Sequence, residues 1–413
     1  MDLLRRVQAG VADSVDRLPQ YLCTQTVDRS VYEADVPGRR TACEENSERG
    51  THLTTSDRLR LDVAMAATGE MYSWAGESRF SDRDLLDMVQ GGAITTGGFG
   101  AFLASIFGSD DASFTYDGET TQNGRTLSEF GFRVPYEKSH YLYGEPPHRV
   151  TTGYDGTFLV DARTAELVRL SVRTSRLPAE TGACYASNTL DYARVSLNGS
   201  DFLLPSVAFL RIFKPDGSEL MNRTVFAGCH AFLGESALTF DPPPGTSASA
   251  ADTRPVSQAP VIPPGLRFRV AFTAGVDTAT AAAGDLIGAR LTTPIRNRSK
   301  VLVPKGAAVR ARIVRIRQYY AGIPAVLFEF KLETVDSGGV STRLAAKPDV
   351  GQSLQTANGR ALQQRVEPGT LGGLQESAVT WTYWRVRLPY VIPNDRESMW
   401  LTAASDSVST STR

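Results

Sequence analysis

Arg58-Leu59-Arg60-Leu61-Asp62-Val63-Ala64-Met65-Ala66-Ala67 is the stretch whose period settles the fold class. Successive side chains of a strand point to opposite faces, so Leu59, Leu61, Val63, Met65 and Ala67 fall on one side and Arg58, Arg60 and Asp62 on the other. Such alternation marks a strand with one face on a core and one in water, the usual state of an antiparallel sheet. Tyr21 to Val31 shows the same period.

Working outward, Leu3, Leu4, Val7, Val11, Val15 and Leu18 recur at three- and four-residue steps. They predict an amphipathic helix that ends before Pro19 and docks on the sheet. A second helix is announced at Ser81, where Ser81 and Asp84 resemble a capping box, with Phe80 and Leu85 at the staple positions, and it should run to about Gln90. After a glycine-rich stretch, Phe99, Phe102, Leu103, Ile106 and Phe107 predict a short apolar helical face. Beyond Ser113 the dipeptides Asn123-Gly124, Asp155-Gly156, Asn198-Gly199 and Asp216-Gly217 read as tight turns of an antiparallel meander. The expected fold is therefore α+β, mainly β: a curved antiparallel half-barrel sheet with packed helices over residues 1–240, followed by a small β-barrel.

Residues 241–264, with Pro242-Pro243-Pro244, a Ser/Ala/Thr run and then Pro260, Pro263 and Pro264, are too poor in apolar surface to fold and are expected to be the linker. From 265 to 403, Leu266 to Phe272, Leu286 to Leu291, Val309 to Ile316 and Val326 to Leu332 read as short strands, with Pro304-Lys305-Gly306 as a turn. They fit a small β-barrel domain. Residues 404–413, rich in Ser and Thr, are expected to be a tail.

Lys and Arg number 44 against 45 Asp and Glu, so no bulk field recruits nucleic acid. The four cysteines, Cys23, Cys43, Cys184 and Cys229, have none of the two-residue spacings of zinc knuckles or redox motifs. An even, widely spaced set reads as two disulfides, with Cys23–Cys43 and Cys184–Cys229 the simplest of three connectivities, each worth roughly 3–4 kcal/mol in the chain-entropy model. Four buried thiols in a cytosolic protein are the alternative. The segment from Met1 to Val7 lacks the apolar core of an export signal, and no stretch is long enough to span a bilayer. The expectation is an exported protein whose signal has been trimmed or mis-started.

The search for chemistry is negative. His52, His140, His148 and His230 are too far apart in sequence for a helical zinc motif. No Gly-x-Ser-x-Gly elbow occurs. The glycines from Gly91 to Gly100 lack the Lys-Ser/Thr of a phosphate loop and read as a hinge between helices. Asp82, Asp84 and Asp87 are explained by a helix start. Arg310, Arg312, Arg315 and Arg317, beside Tyr319 and Tyr320, suggest a polyanion site, but their phase places the first two on one face and the last two on the other unless a bulge intervenes. A solvated or edge-blunting strand is the better reading. No catalytic residue, metal or cofactor is expected.

The order of amphipathic helix, early strands, two central helices and then hairpins resembles the lipoprotein-carrier half-barrel shared by Lol-type carriers and RseB-type envelope stress regulators. The hairpins in question include Phe114-Thr115-Tyr116-Asp117-Gly118-Glu119 through Phe130-Gly131-Phe132-Arg133-Val134, and Phe158-Leu159-Val160-Asp161 through Leu167-Val168-Arg169-Leu170-Ser171-Val172. That resemblance implies a non-enzymatic fold with an apolar cavity for acyl chains or a surface for peptides. Val261-Ile262-Pro263-Pro264-Gly265-Leu266-Arg267-Phe268-Arg269-Val270, Ala283-Gly284-Asp285, Val303-Pro304-Lys305-Gly306-Ala307 and Val309-Arg310-Ala311-Arg312 are similar to the β-barrel of TrbI-like conjugal-transfer envelope proteins. No upstream membrane helix or pore-lining insertion accompanies them, so the similarity implies an interaction module.

Together these readings predict a periplasmic or outer-membrane-associated protein that binds a lipid, lipopeptide or extended peptide in a sheet–helix cleft. Trp74, Phe99, Phe102, Phe107, Phe130 and Phe132 are the candidate lining, although for each taken singly ordinary core is the better reading. Envelope proteins and the membrane are the expected partners. The alternative is an envelope assembly scaffold acting through the C-terminal barrel without a small ligand.

Overall fold

The computed structural model describes residues 2–35, 43, 50–66, 69–77, 80, 85–89, 93–94, 100–108, 110–122, 124–144, 149–231, 262–349, 362–365, 378–394 and 396–403. The chain divides into a first unit, Met1–Phe232 with Tyr319–Ala321, and a second, Leu233–Gln318 with Gly322–Arg413. The expected linker up to residue 261, the expected tail, Phe99, His148 and the capping residues Ser81, Asp82 and Asp84 lie outside the described residues.

The first unit opens with α1 (Asp2–Arg17), whose Asp2 and Arg17 suit the two ends of the helix dipole. Its apolar stripe buries Val7 and Val11, with Leu3 and Leu4 half-buried beside them. There follow β1 (Tyr21–Ala34), β2 (Thr51–Ala66), β3 (Gly69–Trp74), α2 (Leu85–Met88) and α3 (Ala101–Phe107). Then come β4 (Ser113–Gln122), β5 (Arg125–Val134), the short pair β6 (Leu142–Tyr143) and β7 (Val150–Thr151), β8 (Tyr154–Asp161), β9 (Leu167–Thr174), β10 (Tyr185–Leu197), β11 (Ser200–Phe213) and β12 (Glu219–Ala231). All ladders are antiparallel, and the pairing runs β3-β2-β1-β12-β11-β10-β9-β8-β5-β4. The sheet is thus a meander from β4 to β12 whose last strand turns back onto the first.

Two of the expected turns are seen in full. Asn198 and Gly199, both at positive φ (50° and 82°), join β10 to β11, and Gly217 (φ 82°) joins β11 to β12. Asp155-Gly156 is a correction: it lies inside β8. A Cβ on Gly156 would sit 1.9 Å from the Ser171 carbonyl oxygen, so this glycine permits a close approach of two strands rather than a reversal.

The disulfide pairing is a second correction. The bonds are Cys23–Cys229 and Cys43–Cys184. Because β12 lies against β1, Cys229 is the cross-strand neighbour of Cys23. Cys43 lies beyond the end of β1 at Ala34, which is itself about 35 Å of extended strand from Cys23. There it meets Cys184 beside Tyr185 and Phe213.

The second unit contains β13 (Arg267–Phe272), β14 (Val276–Asp277), β15 (Leu286–Leu291), β16 (Ile295–Asn297), β17 (Lys300–Val303), β18 (Ala308–Tyr319), β19 (Ala325–Ser337), β20 (Val340–Arg343), β21 (Ala346–Pro348), β22 (Leu362–Arg365), β23 (Ala378–Trp384), β24 (Val391–Ile392) and β25 (Glu397–Thr402). One antiparallel ladder runs β18-β15-β13-β25-β21 and another runs β22-β23-β19-β20. Its core is aromatic: Phe272, Phe328, Phe330, Trp381 and Trp400 pack together, with edge-to-face contacts such as 4.8 Å between the Phe272 and Phe330 centroids and 5.0 Å between Phe330 and Trp381. Trp400 donates its indole N–H to Ser398 Oγ at 2.8 Å.

The arginine-rich strand is not solvated throughout. Arg312 is buried, with Nε 2.6 Å and Nη2 3.2 Å from the Glu333 carboxylate and Nη1 donating to the Gly284 carbonyl at 2.6 Å. Arg315 reaches Glu329 at 2.9 Å. Charges committed to β19 carboxylates in this way are structural.

Candidate functional site

The outer face of the first sheet is polar and cross-linked by ion pairs between neighbouring strands. Asp28–Arg58 and Arg169–Asp191 are examples, and the hydrogen bonds that Arg169 donates to Asp191 hold its guanidinium above its usual range. Apolar groups therefore concentrate on the inner face, where directly opposed residues form rows across the sheet.

The central row reads Asp57 (β2), Arg29 (β1), Asn222 (β12), Leu210 (β11), Asn188 (β10), Val172 (β9), Gly156 (β8), Phe132 (β5) and Phe114 (β4). The next row reads Leu59, Val27, Thr224, Ala208, Leu190, Leu170, Phe158, Phe130 and Tyr116 on the same strands. The inner face thus grades from ionic and amide groups on β2, β1 and β12 to aromatic rings on β8, β5 and β4.

The aromatic half is filled. α1 and α3 bring Val7, Val11, Phe102, Leu103, Ile106 and Phe107 onto Phe130, Phe132, Tyr154 and Phe158. Phe107 meets Phe158 edge-on at 5.0 Å and Phe130 stacks on Phe158 at 5.2 Å. Two of the tyrosine hydroxyls there have partners: Tyr154 and Ser105 share a hydrogen bond of 2.6 Å, and Asn188 Nδ2 donates to Tyr141 Oη at 3.2 Å. Burial pushes the Tyr141 hydroxyl up to about 12, partly offset by that bond.

The other half is built differently. Arg29 and Asp57 form a two-point ion pair, Nε–Oδ1 2.6 Å and Nη2–Oδ2 2.8 Å, with both side chains buried. Asn222 Nδ2 donates to the Ala93 carbonyl at 2.7 Å. Toward β3, Leu61 faces Trp74, and Val63 faces Tyr72, whose hydroxyl donates to Glu70. Desolvation raises the Tyr21 and Tyr192 hydroxyls far above their ordinary value.

Of the expected lining, Phe102, Phe107, Phe130 and Phe132 are brought together as one packed cluster. Trp74 stands on the inner face at the far end of the sheet, half-buried and outside that cluster. Sequence reasoning missed Gln25, Arg29, Asn222, Thr224 and Tyr192. A signal for two of them was present: Tyr21, Cys23, Gln25, Val27, Arg29 and Val31 share one phase of β1, so Gln25 and Arg29 are polar intrusions into an otherwise apolar series. Among the described residues no helix is long and apolar enough to cross a membrane.

No family model matches the chain, and no curated protein is similar to it. Among solved structures it is similar to a DUF1329 family protein from Desulfovibrio piger (10% identity, 57% of this chain and 92% of that one, TM-score 0.27). It is also similar to a domain assigned to outer membrane lipoprotein sorting from Vibrio parahaemolyticus (9% identity, 56% and 93%, TM-score 0.28). A third likeness is to a LolA superfamily protein from Nitrosomonas europaea (10% identity, 55% and 93%, TM-score 0.25).

Proposed function

We propose that the first unit is a non-catalytic carrier of the bacterial envelope that holds a lipid, lipopeptide or extended peptide on the inner face of its sheet. The observation that carries this reading is the two-part inner face. α1 and α3 fill the aromatic half, while Leu59, Leu61, Val63 and Trp74 face inward on β2 and β3 outside that packed cluster. Those strands would supply the contact for a hydrocarbon chain, with Phe102, Phe107, Phe130 and Phe132 as the wall that shapes its far end. Two disulfides support an oxidising compartment, since such bonds persist in the periplasm and not in a reducing cytoplasm. The Pro-rich stretch 241–264 would then tether the carrier unit to a barrel-like interaction module.

The test is native mass spectrometry of gently extracted protein together with titration by a fluorescent fatty acid. A co-purifying lipid or saturable binding is expected. The absence of both a co-purifying lipid and probe binding overturns the carrier reading. A scaffold acting through the second unit is favoured by one observation, the exposure of Trp384 (43%) and Val391 (57%) next to exposed Arg385 and Arg387. Crosslinking in cells separates the two: a scaffold gives stable protein adducts even when bulky substitutions fill the first unit's inner face.

A further inference from the structure

Residues 286–328 carry nine Lys or Arg and no Asp or Glu, although the chain as a whole has a net charge of -1. Arg312 and Arg315 are committed to Glu333 and Glu329. Arg290, Arg296, Arg298, Lys300, Lys305 and Arg310 are a different set. All six are exposed, and among the described residues none of them is in an ion pair.

The fold gathers these cations at one corner of the second unit. β16 and β17 form a hairpin with Ile295 and Val303 buried at its base, where Arg296 opposes Val301 and Asn297 opposes Lys300. Arg298 and Ser299 make the two-residue turn, so the three cations of the hairpin lie within about 10 Å of its base at the rise of an extended strand. The base returns to β15: Gly306, next to Lys305, donates its backbone N–H to the carbonyl of Leu291, next to Arg290, at 2.8 Å. Arg290 opposes Ala308 and Arg310 opposes Gly288, two successive pairs on one face of the β15–β18 ladder. The carboxylate on the Arg290 row, Glu397, stands beyond Ala271 and pairs with Arg269 at 3.4 Å.

Arg298 has φ 54°, a left-handed conformation that Gly or Asn adopts at less cost and that two-residue hairpin turns usually give to them. Among the described residues its side chain makes no hydrogen bond that would compensate. Backbone strain kept without a structural return is a mark of functional positions.

The charge selects an anion, and the rest of the corner selects a lipid surface among anions. No aromatic residue occurs from 286 to 310, so the stacking platforms of single-stranded nucleic-acid sites are missing from this stretch. Val301, 42% exposed, and half-buried Leu302 stand between Lys300 and Lys305. An apolar step flanked by long cationic stems suits the boundary between phosphate headgroups and acyl chains.

We propose that the β16–β17 hairpin, with Arg290, Lys305 and Arg310 at its base, docks the second unit on a bilayer surface rich in anionic phospholipid. This goes beyond the carrier reading and does not depend on it, since none of these residues belongs to the first unit.

The test is co-sedimentation of the full chain with phosphatidylcholine vesicles, with and without phosphatidylglycerol as about one-third of the lipid. The native protein should bind the anionic vesicles about tenfold or more tightly, and the preference should collapse as added salt screens the surface potential. Each cation near such a surface contributes about fivefold, so Arg298→Gln/Lys300→Gln should lose about twentyfold. Arg343→Gln/Lys347→Gln removes two exposed cations elsewhere on the same unit and should bind as the native protein does. Arg298→Gly should weaken binding about fivefold with a melting temperature unchanged or higher, because glycine takes the positive φ without strain; a structural role for this arginine predicts a lower one. Equal binding to the two kinds of vesicle, binding to neither, or equal losses in the two double variants overturns the proposal. Tighter binding to heparin or duplex DNA than to the anionic vesicles, abolished by Arg298→Gln/Lys300→Gln, overturns the lipid surface and assigns the corner to another polyanion.

Discussion

Replacing Arg29 by methionine tests how the inner face is built. The guanidinium makes two bonds to Asp57, 2.6 and 2.8 Å, and each side chain is only 7% exposed. Methionine keeps most of the stem but leaves the Asp57 carboxylate buried without that partner. Removing one member of a buried pair costs about 3–5 kcal/mol, because the remaining charge keeps its desolvation penalty and loses the attraction. For a unit of this size each kcal/mol moves the midpoint by about 2–4 °C, so the first unit should melt roughly 6–20 °C lower. Near-ultraviolet circular dichroism with the disulfides intact reads that transition. The companion Arg29→Met/Asp57→Leu should recover most of the loss, since a well-packed apolar pair equals or exceeds a buried ion pair in stability. A single variant that loses less than about 1 kcal/mol, or a double variant no better than the single, would refute the reasoning and make the pair a solvated one.

Gly156→Ala should cost about 3 kcal/mol, because the new methyl meets the Ser171 carbonyl and not a flexible side chain; an unchanged melt would remove the close approach of β8 and β9. Peptide mapping without reduction should recover Cys23–Cys229 and Cys43–Cys184, and Cys23→Ser/Cys229→Ser should destabilise by about 2–5 kcal/mol, near the upper end because 206 residues separate the pair. Asp161 Oδ1 accepts the backbone N–H groups of Arg163 (2.9 Å) and Thr164 (3.2 Å), which hold its carboxyl below the usual range. Its contribution is then full above the unfolded value near 4 and fades as pH falls through the lower folded value, so the penalty of Asp161→Ala should be present at pH 7 and shrink in acid; a penalty independent of pH counts against the charged turn. Arg312→Met should lower the second unit's stability by about 3–5 kcal/mol and leave heparin retention unchanged, and a loss of heparin binding without destabilisation would restore the polyanion reading.

Elements governed by local period were legible in the residues. The alternation from Leu59 to Met65 and the three- and four-residue steps of Leu3, Leu4, Val7 and Val11 report burial directly, because each face meets one environment throughout its length. What depended on neighbours in space was not legible. Asp155-Gly156 satisfies the composition of a turn, yet only the partner strand, through Ser171, shows why glycine stands there. The cysteine pairing waits on β12 closing against β1, a contact between chain segments some two hundred residues apart. Phe102, Phe107, Phe130 and Phe132 were placed on the correct elements, but whether aromatic side chains pack on one another or on a ligand depends on the angle at which helices sit, which local pattern does not encode.

The distribution of polarity over the inner face indicates where recognition belongs. In the aromatic half the hydroxyl of Tyr154 and the amide of Asn188 have partners. Elsewhere on the inner face the Tyr192 hydroxyl is buried without a hydrogen-bond partner among the described residues, and Gln25 of β1 and Thr224 of β12 are buried polar side chains. Each such group costs roughly 1–3 kcal/mol when left without a partner, against a net stability of about 5–15 kcal/mol for a whole domain. Valine, leucine and phenylalanine would fill the same volumes without that cost, and the neighbouring positions Val27, Leu61 and Phe226 show that the sheet accepts apolar residues there.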